Sequence, residues 1–478
     1  MYKSLQDFMK VLEEEKQLKR ISVKVSSDLE ITEITDRVSK AYGPALLFEK
    51  VDNSPYPLLI NTFGTNERLN LSLKVDDLDS IAKDIKSFID IYNSQEILNE
   101  IENTKYTKRL NNIFPKKVDN APCQEVIESP DLSKLPILKC WPEDGGRSIT
   151  LPLVITKDPE TGVQNMGMYR LQVYDHKTTG MHWHLHKDGR ETYKKYRKMG
   201  GKMPVSVAIG TDPATTYAAT APLPKTIDEM VFSGFLRKRP LEIVKSKTND
   251  LYVPANAEFI IEGYVDVNEE LREEGPFANH TGYYSSKDAY PVFHITCITH
   301  KKNAVYPTTI VGKPPMENCY LGKASQRIFL PLLKLQLPEI VDINSPIEGI
   351  FNNCVIVSIK KSYPGHAKKV MHAIWDMRQM MYTKMIIIVD ENISPKDLST
   401  VAWKVFNNID AKRDVVIVEG PLDALDHASN MNRYGHKMGI DATKKWPTEG
   451  HTRKWSNDVE MKDDIKTLVN ERWKAYGF

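Results

Sequence analysis

Residues 273–284 read EEGPFANHTGYY. The carboxylate of Glu274 precedes Gly275-Pro276, and an amide (Asn279) and an imidazole (His280) follow within the same segment, which Gly282 closes. Glycine permits backbone geometry that a side chain forbids and proline fixes φ, so the pair holds a loop in one shape. A stiff loop bearing Glu, Asn and His suits a reaction centre, where polar groups are held for proton transfer. The same residues also suit a tight turn between two strands with Glu274 in solvent, and their types alone leave both open.

A second stretch, QNMGMYRLQVYDHKTTGMHWHLHKDGR, spans residues 164–190. His182, His184 and His186 alternate, so on a regular strand all three share one face, as a zinc site would require. A mixed set of one histidine, an amide oxygen and a carboxylate suits Mn²⁺ better. Asn165, one of these histidines and Glu229 could supply it, although their separation in the sequence does not by itself bring them together. Arg170 is a natural bidentate partner for a carboxylate or phosphate, or one half of a surface ion pair. Lys384 opens the apolar run YTKMIIIVD, where it either reaches a phosphate or ends the strand in solvent.

Three kinds of pattern position these groups. Residues 1–115 mix helical periodicity with short apolar runs (Ala45–Phe48, Leu58–Asn61), and Leu5, Phe8, Met9 and Leu12 share one helical face. A charged helix near 79–104 reads as surface. Prolines 115, 122, 130, 136 and 142 mark a connector. From 116 to 315 the runs LPLVIT, GMYRLQVYD, VSVAIG, EFIIEGYVDV, VFHITCITH and AVYPTTIVG predict a barrel or sandwich with one helical insertion at Lys225–Gly234. From 325 to 478, CVIVSIKK, KMIIIVD and DVVIVEG read as parallel strands buried on both faces, separated by helices near 365–381 and 396–409. Ile465, Leu468, Val469 and Trp473 share a face of a terminal helix expected to dock on this chain or a neighbour. The fold class is α/β, in several domains.

Composition narrows the partners. The 478 residues carry 65 basic and 63 acidic side chains, a net charge of +2, which argues against nucleic acid as a partner. No apolar run is long enough to cross a bilayer, and the N-terminus is too charged for a secretory signal. Five cysteines without CxxC spacing suit a reducing, cytoplasmic setting and read as buried small hydrophobes. No GxGxxG or Walker-type sequence is present in the C-terminal part, which disfavours a dinucleotide or nucleoside triphosphate there.

From about residue 5 to 450 the chain resembles the UbiD-type family of prenylated-flavin-dependent decarboxylases. The likeness runs through NMGMYRLQ (165–172), WHLHKDG (183–189), VAIGTDPATTYAATAPLP (207–224), DEMVFSGFLRKRP (228–240), EFIIEGYV (258–265), EEGPFANHTGYY (273–284) and KMGIDATKKW (437–446). With GPLDALDHAS (420–429) it is most similar to the large (C) subunit of hydroxyarylic acid decarboxylases. The resemblance implies an N-terminal α/β domain, a central FMN-binding split β-barrel and a C-terminal α/β oligomerisation domain.

It also implies roles for individual residues. Mn²⁺ falls to Asn165, His186 and Glu229, which selects His186 over His182 and His184. K⁺ falls to backbone carbonyls around Ala218, Ala219 and Ala221 together with Glu229. Met168, Tyr169, Arg170 and Lys384 lie against the prenylated FMN. The family's catalytic network is Arg-Glu-Glu/Asp; Arg170 and Glu274 match its first two members, and Asn279 stands where many relatives carry an acid. An asparagine cannot take up or release a proton near neutral pH, which leaves that work to Glu274, with His280 in the same loop.

The implied reaction is reversible loss of CO₂ from a hydroxybenzoate such as vanillate or 4-hydroxybenzoate. Arg170 orients the carboxylate, the flavin acts as electron sink, and Glu274, its pKa raised by burial, returns a proton to the ring. The implied partners are a dimer or hexamer of this chain, a small D-type companion subunit and a flavin prenyltransferase that supplies the cofactor. Rival expectations are a decarboxylase of a prenylated hydroxybenzoate or an acrylic-type acid, and a non-catalytic flavin-binding assembly subunit, for which Asn279 is the supporting feature.

Overall fold

The computed structural model describes all residues except 94–112, 184–187, 225–226, 352 and 378–379. The first helix, Leu5–Glu14, begins at Ser4, whose hydroxyl accepts from the Asp7 N–H, and it buries Leu5, Phe8, Met9 and Leu12 as their spacing predicts. It covers a four-stranded sheet in which Leu18–Ile21 runs parallel to Ala45–Phe48 and Leu58–Ile60 pairs antiparallel with the latter. The fourth strand comes from far along the chain. Tyr306–Thr308 pairs parallel with Leu58–Ile60, so the AVYPTTIVG run expected in the middle sheet completes the N-terminal one instead.

The expectation of a surface helix near 79–104 is corrected in part. Helix Asp79–Asn93 is charged, yet Ala82, Ile85 and Phe88 are buried among residues of Glu229–Arg237 and of the long helix Glu317–Gln336. The Phe88 ring lies 4.5 Å from that of Phe235 and 5.8 Å from that of Phe232. Arg327 clasps both carboxylate oxygens of Asp79 at 2.9 and 2.7 Å. The remainder of the expected helix, from residue 94, lies outside the described residues. The charges occupy the other faces of the helix, while Ile81, Ala82, Ile85, Phe88 and Ile89 form an apolar stripe turned to the core.

The middle of the chain forms a seven-stranded antiparallel sheet. Its order is Thr178–Gly180, Val292–His300, Phe259–Asp266, Lys202–Ile209, Leu153–Lys157, Gln164–Met168, with Val126–Glu128 also on Val292–His300. Among the described residues the pairings do not close into a ring. The single helical insertion becomes three helices, Asp188–Met199, Pro213–Ala218 and Glu229–Arg237. The first two were hidden by charge density and by shortness respectively.

The C-terminal sheet is mixed, which corrects the all-parallel expectation. Its order is Ile340–Asn344, Cys354–Ile359, Met385–Asp390, Tyr434–Asp441, Val415–Pro421, and only the middle three strands run parallel. DVVIVEG is an antiparallel edge with Ile417 exposed, and the KMGID segment takes the interior place. Helix His366–Asp376 seals one face through Ala367, Val370, Met371 and Ile374; Leu398–Asn408 lies on the other. The terminal helix Asp463–Glu471 buries none of its residues on this chain, with Leu468 45% and nearby Trp473 49% exposed. All five cysteines are unpaired. No described helix is long and apolar enough to cross a membrane.

Phe232 is fully buried where three helices meet, with the rings of Phe88, Phe235 and Phe329 5.8, 5.8 and 5.9 Å away. Phe232→Ala is expected to cost about 3–5 kcal/mol, read as a lower urea midpoint. A loss under about 1 kcal/mol would show that these helices collapse into the gap instead of depending on the ring.

Candidate active site

Strand Gln164–Met168 lies at one edge of the central sheet, and the first half of the site is built on it. Helix Glu229–Arg237 starts beside it, capped by Asp228, whose carboxylate accepts from the Met230 N–H at 2.6 Å. Glu229 therefore enters at the strand's level: one oxygen accepts from the Asn165 amide at 2.8 Å, the other from the Met166 N–H at 3.1 Å. Burial, opposed by the Met166 N–H and reinforced by Asp228 and Asp188, pushes its carboxyl up to about 8. Beside it Asn165 Oδ1 is buried with no hydrogen-bond partner among the described residues. A buried acceptor without a donor is rare in folded proteins, and an amide oxygen beside a carboxylate is a ligand pair for a hard cation.

His186 lies outside the described residues; Asp188, two positions on, is close enough to act on Glu229. The backbone continues the cradle: the Met168 N–H donates to the Ala219 carbonyl at 3.1 Å, and Ala221 accepts from Leu223 at 2.9 Å. Tyr169 is buried, its hydroxyl accepting from the Gly189 N–H at 3.5 Å. Arg190, on a helix packed against the same strand, has a buried Nε without a hydrogen-bond partner among the described residues.

The second half lies just past the strand's end. Arg170 reaches one oxygen of Glu274 through Nε at 3.2 Å and Nη2 at 2.7 Å. His182 Nδ1 lies 2.8 Å from that same oxygen. The Arg170 guanidinium sits 3.8 Å above the centre of the Phe277 ring, a cation–π contact that fixes its plane. Glu274 is 2% exposed and its second oxygen has no hydrogen-bond partner among the described residues, which eliminates the solvated-turn alternative. A side chain at Gly180 would place a Cβ 2.6 Å from that oxygen.

The expected raised pKa of Glu274 is corrected. Burial pushes the carboxyl up, but the hydrogen bond from His182 and the charge of Arg170 outweigh it and hold the group below its ordinary value. Without substrate it is a carboxylate.

The loop carrying Glu274 is held from both sides. Gly275, with φ of +97°, donates its N–H to the Gln172 side chain at 2.8 Å. Asp144 accepts from the Ala278 N–H at 2.8 Å and from the Trp141 N–H at 2.9 Å. Gly145 donates to the Pro276 carbonyl at 2.8 Å, and a Cβ there would fall 2.1 Å from the Gly275 oxygen. Glycine is required at this contact because two backbones touch.

The structure joins Arg170 with Glu274 and, separately, Asn165 with Glu229. Asn279 is buried in the Glu274 loop, but its amide donates to the Phe277 carbonyl at 2.9 Å, within its own hairpin. His280 stacks on Phe351 at 4.9 Å, and Tyr283 lies 3.8 Å from the His427 ring, so the loop's far end rests on the C-terminal domain. Lys384 pairs with Asp426 in that domain and lines a cavity of about 550 Å³ together with Glu348, Leu398, Ile417 and His436. Phe277, Gln172 and Asp144 are not among the sequence-predicted site residues, and His182, weighed there as a metal ligand, instead meets Glu274. For His182 the alternating histidines were a signal; for the others only the fold brings them in.

Three family models cover most of the chain: the N-terminal, Rift-related and C-terminal domains of 3-octaprenyl-4-hydroxybenzoate carboxy-lyase, over residues 9–86, 116–314 and 319–442. The chain belongs to the UbiD family of carboxy-lyases and is a decarboxylase of that class. It is 50% identical over 474 residues to an uncharacterised protein of Archaeoglobus fulgidus, covering 99% of this chain and 98% of the other. Among solved structures it is similar to vanillic acid decarboxylase of Sedimentibacter hydroxybenzoicus in closed form (28% identity, TM-score 0.85, 100% and 99% of the two chains). It is also similar to the UbiD-class enzyme HmfF from Pelotomaculum thermopropionicum in complex with FMN (28%, 0.82, 97% and 99%).

A carboxyl with a lowered folded pKa stabilises the fold above its unfolded value of about 4.3, and that contribution disappears as pH falls through the lower folded value. Glu274→Gln is therefore expected to lose about 2 kcal/mol at pH 7, with the gap to wild type narrowing below about pH 4. Urea denaturation across pH measures it; a gap independent of pH would show that Glu274 is not charged in the folded protein.

Proposed function

We propose that the enzyme reversibly decarboxylates a hydroxylated aromatic acid, of the vanillate or 4-hydroxybenzoate kind, with prenylated FMN as its cofactor. The observation that carries this is the buried Arg170–Glu274 pair, a carboxylate-binding cation and a proton-transfer group joined at one oxygen. The likeness to a vanillic acid decarboxylase over the full chain supports the substrate class, and that to HmfF with FMN supports a flavin.

The residues present fit the cofactor set. Asn165 Oδ1 and Glu229, with His186, would hold Mn²⁺, the buried unpaired amide oxygen being the fit. Met168, Tyr169, Arg170, Ala219, Ala221 and Lys384 would line the flavin, and the unpartnered Arg190 Nε lies beside the same strand. K⁺ would sit on carbonyls near Ala218, Ala219 and Ala221 with Glu229. When bound, prenylated FMN supplies the electron sink that makes a ring carbanion avoidable.

The chain's own residues do the rest. Arg170 turns its N–H groups from Glu274 to the substrate carboxylate and orients it for departure. Glu274 then keeps its burial but loses part of its counter-charge, so its pKa rises and it becomes a proton donor. It delivers that proton to the carbon that carried CO₂. The clamp of Asp144, Gly145 and Gln172 holds the donor in place, and the C-terminal domain, resting on His280 and Tyr283, excludes water. Asn279 shapes the hairpin that holds Glu274 and takes no proton. Assembly into a dimer or hexamer, a small companion subunit and a flavin prenyltransferase belong to the same proposal; the uncovered apolar face at Leu468 and Trp473 supports assembly.

Protein produced with a flavin prenyltransferase is expected to release CO₂ from a hydroxybenzoate such as vanillate or 4-hydroxybenzoate in preference to cinnamate, and to lose activity without the modified flavin. In that protein Glu274→Gln should abolish turnover while the visible flavin spectrum persists; near-normal activity would remove Glu274 from the mechanism. For the metal, Glu229→Gln should weaken Mn²⁺ binding more than about tenfold by calorimetry. Unchanged affinity would place the ion elsewhere.

A further inference from the structure

Decarboxylation of a carboxylate consumes one proton per turnover, since ArCO₂⁻ and H⁺ become ArH and CO₂. Glu274, which delivers it, is 2% exposed and cannot refill from bulk water directly. One chain of groups leads outward from it. His182 Nδ1 lies 2.8 Å from the Glu274 oxygen, and on the ring's other side Nε2 lies 3.4 Å from the hydroxyl of Tyr290, a half-buried residue on the strand Asp288–Tyr290. The two rings pack against one another at a tilt of 32°, with centroids 4.2 Å apart, which keeps them side by side. We propose that Tyr290 and His182 form an inward proton relay that refills Glu274 after each turnover, a role that rests on the chain acting as a decarboxylase.

The directions of the hydrogen bonds follow from charge. An ionised Glu274 only accepts, so the proton on Nδ1 points inward, and Nε2 is left to accept from the Tyr290 hydroxyl. Arg170 Nη2, 2.9 Å from Nδ1, is a second donor to the same carboxylate oxygen. The charged and titratable groups facing this chain are Arg170, Glu274 and Asp288, with Arg433 near Tyr290. Burial pushes the His182 imidazolium down, against the pull of Glu274, so the ring rests neutral and able to accept. Burial, with Asp288 and Glu274, pushes the Tyr290 hydroxyl up to about 12, so it rests protonated. Along the path from Tyr290 through His182 each proton faces an acceptor, and every step points towards Glu274; Arg170 Nη2 and His182 Nδ1 share the Glu274 oxygen as neighbouring donors.

The transfer balances. Once Glu274 has given its proton to the ring carbon, the Nδ1–H bond breaks and an O–H bond forms on Glu274. Nε2 takes the Tyr290 proton, and the tyrosine oxygen takes one from solvent. The Nδ1–H tautomer is restored by proton exchange with water after product leaves, one proton arriving at Nδ1 as another departs from Nε2. His182 and Tyr290 touch neither substrate nor ring carbon and act only through Glu274.

Two measurements on the full chain test the relay. In the flavin-loaded enzyme, His182→Ala and Tyr290→Phe should each lower kcat about 10²-fold with KM and the flavin spectrum little changed, and free imidazole should restore turnover to His182→Ala. Unchanged kcat in both variants, or a loss in His182→Ala that imidazole does not relieve, overturns it. Separately, nitrogen NMR of histidine-labelled protein without substrate, assigned by comparison with His182→Ala, should show His182 protonated on Nδ1. Protonation on Nε2 overturns the relay whatever the turnover. Failure of wild type on every aromatic acid would instead defeat the substrate reading, with the tautomer still deciding the relay.

Discussion

A carboxylate shut away from water must be surrounded by donors, and most of the site is arranged by that requirement at Glu274. Removing a charge from solvent is costly unless hydrogen bonds and an opposite charge replace hydration. Arg170 and His182 converge on one of its oxygens, and Gly180 leaves room for the other. Those three groups come from two different edges of the central sheet, so the sheet must form before the carboxylate can be buried at all. The backbone clamp on Gly275, Pro276 and Ala278 then sets where the second oxygen points.

The strand Gln164–Met168 divides the site into two electrostatic halves. On one side Asn165 and Glu229 present oxygen atoms with too few donors; on the other Arg170 presents donors to a carboxylate. A ligand with a cation-bound phosphate at one end and an electrophilic ring at the other would match that polarity along a single strand. The third wall belongs to the C-terminal domain, through Phe351 and His427, so one hairpin both holds the acid and meets the neighbouring domain. The buried carboxylate and the domain packing are thereby coupled in one short segment.

Much of this was legible in the sequence where local pattern and tertiary role agree. Leu5, Phe8, Met9 and Leu12 read as a helix face, and CVIVSIKK and KMIIIVD as buried parallel strands, because each is surrounded on the sides that its periodicity indicates. DVVIVEG has the same composition but lies at an edge, where one face packs partly on the core through Val416 and Val418 and the other leaves Ile417 exposed. At the site, Arg170 and Glu274 were recognisable from motif. The sign of Glu274's pKa was not, because burial alone raises it and only the placement of His182 and Arg170 reverses it. Asp144 and Gln172 act through backbone contacts that no spacing rule describes.

The pairing of Tyr306–Thr308 with Leu58–Ile60 has a temporal side. A chain made from its N-terminus exposes the edge of Leu58–Ile60 until the whole central sheet has been synthesised, and Gln6 likewise waits for Glu258 and Asn303. The first domain to emerge is therefore completed only after the central sheet. Pairings of such long sequence separation are slow to form and leave an open strand edge in the interval. Through that one strand, the N-terminal domain becomes a lock that closes only over a finished catalytic sheet.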